Sequence, residues 1–252
     1  MTTTLPIALQ LYTVRDLLRE DFEGVIHRVA EIGYEGVETA GFPASTTPEK
    51  ATRLFARLGL EVTSAHTPLP LGDDKNRVLD AAAVLDCRRI ISGHLPPEEY
   101  ASIDKIKRAC GRLNEANAVA VANGLEFGVH NHWWEFQTVK GQYPYQFWLE
   151  ELDPAIFFEL DLYWIQSAGL DPVEIIKAFG NRAPLLHVKD GPTPSDTSAP
   201  MTAVGDGVLD YPDFIEAALS SAEWLIVELD RCATDMMTAV EKSYRYLSEI
   251  AI

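Results

Sequence analysis

The stretch Leu125-Glu-Phe-Gly-Val-His130-Asn-His132-Trp-Trp-Glu135-Phe136 joins a short apolar run to two histidines, two tryptophans and a glutamate. Side chains alternate along a strand, so His130 and His132 share one face and Asn131 points away between them. The element is a strand whose end carries polar groups.

Working outward, the same unit recurs along the chain. Strand patterns cover residues 5–12, 36–40, 61–66, 89–94, 125–130, 155–161, 184–190 and 224–228. Helical periodicity fills the gaps between them. Leu18, Phe22, Val25, Ile26 and Val29 form one stripe that ends at Gly33, and Pro48 opens a helix that runs to Gly59. Residues 73–85 form the next helix. Pro96-Pro97 introduces a long one carrying Ile103, Ile106, Cys110 and Leu113, closed by Asn123-Gly124. Residues 143–152 and 171–179, the stretch from Asp210 to Leu219, and the Met237, Val240, Tyr244, Leu247 stripe supply the rest. Strands alternating with helices eight times specify right-handed crossovers and a parallel sheet that can close on itself. The Gly-x-Gly-x-x-Gly fingerprint of a doubly wound dinucleotide fold is absent after the first strand. The expectation is an α/β fold, a (β/α)8 TIM barrel, in a single domain over residues 1–252.

At 252 residues and 47% hydrophobic content the chain can bury a large core. Its formal charge of −17 repels polyanions, and the basic pairs at Arg88-Arg89 and Lys105 to Arg108 form no stripe, so nucleic acid is excluded as a partner. No run of about 18 apolar residues exists, and Met-Thr-Thr-Thr-Leu-Pro at the start has no leader pattern. A soluble, cytoplasmic protein without membrane contact is expected. Cys87, Cys110 and Cys232 lack metal-type or disulfide-type spacing and read as packing residues.

In such a barrel the active site lies at the carboxyl ends of the strands. Five of the six histidines (His66, His94, His130, His132 and His187) fall at predicted strand ends. Glu38, Asp161 and Glu228 end the second, sixth and eighth strands. Imidazole and carboxylate around one point suit a divalent ion, with Mn, Co, Zn, Ni, Fe and Mg as candidates.

Leu9-Gln-Leu-Tyr-Thr-Val-Arg-Asp16, Gly128-Val-His-Asn-His-Trp-Trp-Glu-Phe136, Leu160-Asp161, His187-Val-Lys-Asp190 and Val227-Glu-Leu-Asp230 resemble the xylose isomerase-like barrel superfamily. The likeness is to its sugar phosphate isomerase/epimerase group, with inosose dehydratases and ketose 3-epimerases among its members. That resemblance covers nearly the whole chain and implies one divalent ion held by His130, Asp161, His187 and Glu228. It also marks a departure: many epimerases of the group end strand five in a glutamate that is both ligand and base, where this chain has His-Asn-His. Glu135, five residues on, would have to return through a loop to restore a carboxylate.

The function expected from this reading is metal-dependent isomerisation or epimerisation of a sugar or keto-sugar derivative through an enediolate. Dehydration of an inosose or keto-sugar is the alternative; an endonuclease IV-like nuclease and a non-catalytic sugar-binding barrel are weaker rivals. Glu228 is the first candidate base, with His132 or Glu135 as its partner, and Lys189 is placed to stabilise an oxyanion. His66, His94, Arg15, Trp133 and Arg231 are the candidate substrate contacts. A small sugar or polyol is the expected partner. The assembly state is open, with a homodimer as one arrangement. Residues 191–206, rich in proline and glycine, follow the seventh strand and are expected to act as a lid.

Overall fold

The computed structural model describes residues 5–251; Met1–Thr4, where the leader reading begins, and Ile252 lie outside the described residues. Eight parallel strands close into a barrel in sequence order. They are β1 (Ile7–Gln10), β2 (Gly36–Thr39), β3 (Glu61–Thr67), β4 (Arg89–Ser92), β5 (Glu126–His130), β6 (Phe157–Asp161), β7 (Leu185–Val188) and β8 (Trp224–Val227). β1 pairs with both β2 and β8, which removes every sheet edge.

Alternation along the strands divides the core into two compartments. Outward residues pack beneath the helices: Phe158 of β6 meets Phe179 edge-on at 4.6 Å and stacks near Trp148 at 5.8 Å. Inward residues fill the barrel, where Ala8, Ile91, Phe157, Leu185, Trp224 and Ile226 form an apolar plug towards its amino end. Gly128 faces that interior. A Cβ added there would come within 2.3 Å of the Phe157 ring, so the neighbouring strand occupies the space a side chain would need. Above the plug the inward positions turn polar, with Gln10, Glu38, Ser64, Glu159 and His187 all buried.

The helices differ from the sequence reading in three places. The first stripe is broken into Arg15–Glu20 and Phe22–Ile32, because Asp21 caps the second helix by accepting from the Gly24 N–H. The Pro96-Pro97 helix is a 3-10 turn, Pro97–Tyr100, and the long helix Ile103–Ala122 starts afresh behind the Ser102 cap. A further short helix, Leu162–Ser167, follows β6 directly. Among the described residues no helix is long and apolar enough to cross a membrane.

The segment after β7 is anchored rather than free. The Asp190 carboxylate accepts backbone N–H bonds from Gly191, Gly205, Gly207, Val208 and Leu209 at 2.8–3.3 Å. Met201, Ala203 and Val204 are buried, and Met201 bridges to Cys232 beyond β8. One buried carboxylate thus fixes both ends of the loop expected to act as a lid.

Candidate active site

The site is built on the ends of β5 to β8. Asp161 closes β6 with a divided role. Its Oδ1 accepts the Trp164 N–H at 2.9 Å and so caps the helix Leu162–Ser167, which directs Oδ2 at the barrel axis. Asn131, turned away from the site as alternation requires, clamps the same strand end: its Oδ1 accepts the Asp161 N–H at 2.9 Å and its Nδ2 donates to the Asp161 carbonyl at 3.2 Å.

His130, Asp161, His187 and Glu228 each offer one ligand atom, all within 4.8 Å of one another. That is close to the roughly 4 Å span set by two ligand bonds of about 2 Å. Both ring nitrogens of His130 are buried without a hydrogen-bond partner, and Asp161 Oδ2 makes no hydrogen bond, with the Lys189 ammonium at 3.0 Å and His130 Nε2 at 3.5 Å beside it. Unsatisfied buried polar atoms cost about 1–3 kcal/mol each, and a cation at this point would satisfy one His130 nitrogen and Asp161 Oδ2. The donor set therefore fits a divalent ion.

Burial, reinforced by the His187 and His66 charges, holds the His130 imidazole well below its usual range and keeps it neutral, the form in which histidine ligates. Burial would also raise Glu228, but the Lys189 ammonium at 2.7 Å and His187 Nδ1 at 3.0 Å outweigh it and keep the carboxyl well below the ordinary range. Burial would lower Lys189, yet Asp161, Asp230 and Glu228 hold it well above. Lys189 is thus a fixed cation among three carboxylates, donating to Asp230 Oδ2 at 2.8 Å.

These groups floor a cavity of about 550 Å³ lined by His66, His94, His130, His132, Lys189 and Glu228, with Tyr12 and Asp230 also at its wall. His132 stacks on Trp134 at 4.2 Å and meets His94 edge-on. Its Nδ1 is buried without a partner, and burial holds the ring well below its usual range and so in the neutral form. A second cavity of about 470 Å³ opens at the amino end of the barrel beside Arg89. That guanidinium is already paired with Glu126 and Glu223, and among the described residues no cluster of potential metal ligands lies there.

Other expected site residues lie elsewhere. Glu135 does not return to the ligand cluster: it is buried under its own turn, where Oε2 accepts the His132 N–H at 2.9 Å. The three-residue spacing lets the carboxylate close the turn locally, a shorter reach than back to the barrel axis. Arg231 donates to the carbonyls of Thr197 and Ala199 and braces the loop after β7. Arg15 lies over the Tyr12 ring at 4.0 Å and donates to the Tyr12 and Asp230 carbonyls. Trp133 packs on Trp164 at 4.8 Å. None of these four lines the 550 Å³ cavity. His66 does line it, with Nε2 committed to Glu159 at 2.6 Å. Glu159, a site residue not among those expected, sits two residues before Asp161 and hence on the same inward face.

An eight-stranded barrel with imidazoles and carboxylates gathered at its carboxyl rim defines a class of enzyme-like scaffolds, and comparison with known proteins agrees. The family model described as xylose isomerase-like TIM barrel matches residues 26–250, and the chain belongs to that family. Among solved structures it is similar to a sugar phosphate isomerase/epimerase from Parabacteroides distasonis, with 26% identity and a TM-score of 0.82 over 97% of this chain and 94% of that one. An L-ribulose 3-epimerase shares the fold at 15% identity and a TM-score of 0.74, covering 98% and 94% of the two chains. The IolI protein with a bound zinc atom shares it at 12% identity and 0.73, covering 98% of each. No curated protein matches the chain in sequence.

Proposed function

We propose that the chain is a divalent-metal-dependent isomerase or epimerase of a sugar or keto-sugar derivative, working through an enediolate. The observation that carries this reading is the meeting of His130, Asp161, His187 and Glu228 beside a 550 Å³ cavity that His130 and Glu228 line, with His130 left unpartnered. Bound there, a divalent ion would supply Lewis acidity, polarising a substrate carbonyl and stabilising negative charge on its oxygen.

The chain's own residues supply the rest. Lys189 is a permanent cation beside the ligand carboxylates and stabilises an oxyanion on the substrate. Glu228, the base favoured from sequence, is held ionised by that ammonium, which weakens it as a proton acceptor and suits it to ligation. His132 takes the proton-accepting role: it lines the cavity and burial keeps its imidazole neutral. His94 and Tyr12 contact the sugar from the walls.

One observation favours dehydration as a second reading. Strand five ends in an imidazole, and the groups facing the substrate are a neutral imidazole, His132, and a fixed ammonium, Lys189, rather than a matched pair of proton-transferring carboxylates. Unlike groups suit removal of a proton and loss of a β-hydroxyl as well as reprotonation.

The test is α-proton exchange in deuterated water over a panel of ketoses and inososes, followed by NMR, with chelator added and the metal then restored. Exchange that chelator abolishes and Mn, Co, Ni, Zn, Fe or Mg restores is the expected result. Absence of exchange on every substrate would overturn the reading.

A further inference from the structure

Beneath the proposed metal ligands lies a polar layer that the reaction above does not use. Glu38 of β2 and Glu159 of β6 are fully buried inside the barrel, and His187 belongs to both layers. Its Nδ1 faces the rim, 3.0 Å from Glu228 Oε2. Its Nε2 faces inward, 2.8 Å from Glu38 Oε1 and 3.1 Å from Glu159 Oε2.

Both inner carboxylates are themselves held. The register shift between Val37 and Glu38 sets Glu38 opposite Ser64, whose hydroxyl donates to Glu38 Oε2 at 2.5 Å. Gln10 Nε2 donates to Glu38 Oε1, also at 2.5 Å. His66 Nε2 meets Glu159 Oε2 at 2.6 Å. An imidazole nitrogen facing two carboxylate oxygens must carry hydrogen, because ionised carboxylates only accept. Nδ1 faces the Glu228 carboxylate in the same way, so the ion-free ring carries both hydrogens, and an ion bound at Nδ1 would replace that hydrogen alone.

We propose that Glu38 and Glu159 are positioning residues of the metal centre: they keep the proton of His187 on Nε2 and so present the Nδ1 lone pair to an ion shared with His130, Asp161 and Glu228. The inference rests on the metal reading above. Carboxylates that bind the outer N–H of a ligating histidine fix its tautomer and ring orientation and raise its basicity. β6 would then carry out two tasks on one face, with Asp161 as ligand and Glu159 as support for the ligand on the next strand. Glu38, His66, Glu159 and His187 also lie within 4.8 Å of one another. In that inner group Nε2 of each imidazole already faces a carboxylate oxygen, whereas both nitrogens of His130 have no hydrogen-bond partner, so the ion belongs to the rim.

The test uses the full chain loaded with zinc and labelled with 15N-histidine. Long-range 1H–15N correlations report which ring nitrogen of His187 bears hydrogen, with His187→Asn supplying the assignment. A hydrogen on Nε2 and a zinc-bound Nδ1 are expected; the reverse overturns the proposal. Zinc affinity is then measured by chelator competition for the unsubstituted protein and for Glu38→Gln/Glu159→Gln. A loss of about 10- to 100-fold is expected. Equal affinity, or two zinc ions per unsubstituted chain, overturns the inference alone. Failure of the unsubstituted protein to bind zinc overturns the metal reading, and the inference with it. If the double variant does not fold, the tautomer seen in the unsubstituted protein decides.

Discussion

Replacing Glu135 by Gln should remove a pH dependence of stability that the fold imposes on this turn. The carboxyl is buried, accepts one backbone N–H, and is pushed by that burial from 4.5 up to about 8. The folded chain therefore keeps a proton that the unfolded chain releases above about 4.5. Across that window the folded state binds more protons, so stability is full below 4.5 and is lost as pH rises through 8. The difference corresponds to roughly 3 kcal/mol at pH 7 and on the order of 5 kcal/mol above pH 8. Glutamine retains an acceptor for the His132 N–H and does not titrate. Urea unfolding at pH 5, 6, 7 and 8 is the assay. The gap between the two proteins should widen in favour of Glu135→Gln by about 1.4 kcal/mol per pH unit. Parallel stability profiles would refute the placement of this carboxyl as neutral and buried. Loss of metal binding in the variant would return Glu135 to the ligand set.

Two further expectations concern the scaffold. Asp190→Ala leaves five backbone N–H groups without their shared acceptor. It should destabilise the protein by about 3–5 kcal/mol and speed amide exchange at residues 205–209, and unchanged exchange would show that the loop is held by other contacts. Phe158→Ala opens a cavity between β6 and its covering helices. It should cost about 3–5 kcal/mol in denaturant unfolding while sparing the metal ligands on the opposite face, and a loss under about 1 kcal/mol would contradict the packing described.

The barrel was legible because burial on both faces and helical periodicity repeat eight times, and each strand reading overlaps an observed strand. The rim was legible for a related reason. Period-two alternation put His130, Asp161 and His187 on inward faces, and Glu228 follows β8 directly. The same rule, applied to Phe157-Phe-Glu-Leu-Asp161, puts Glu159 on the inward face as well, one step deeper than the residues that end the strands. Glu135 and Arg231 were not placeable from spacing alone. Each is claimed by a local backbone group, the His132 N–H and the Thr197 and Ala199 carbonyls, and such bonds depend on how a loop turns. The anchoring of residues 191–206 was hidden similarly, since an aspartate that gathers five backbone N–H groups leaves no pattern in side-chain chemistry.

The most direct test of the account is a metal titration of the unsubstituted chain beside Asp161→Ala, by calorimetry with zinc and manganese after chelator treatment. Asp161 supplies a ligand through Oδ2 and caps the helix Leu162–Ser167 through Oδ1, so circular dichroism must first show the variant folded. The account predicts one ion per chain for the unsubstituted protein and none at comparable concentrations for Asp161→Ala. Equal binding by both, or none by the unsubstituted protein, would contradict it.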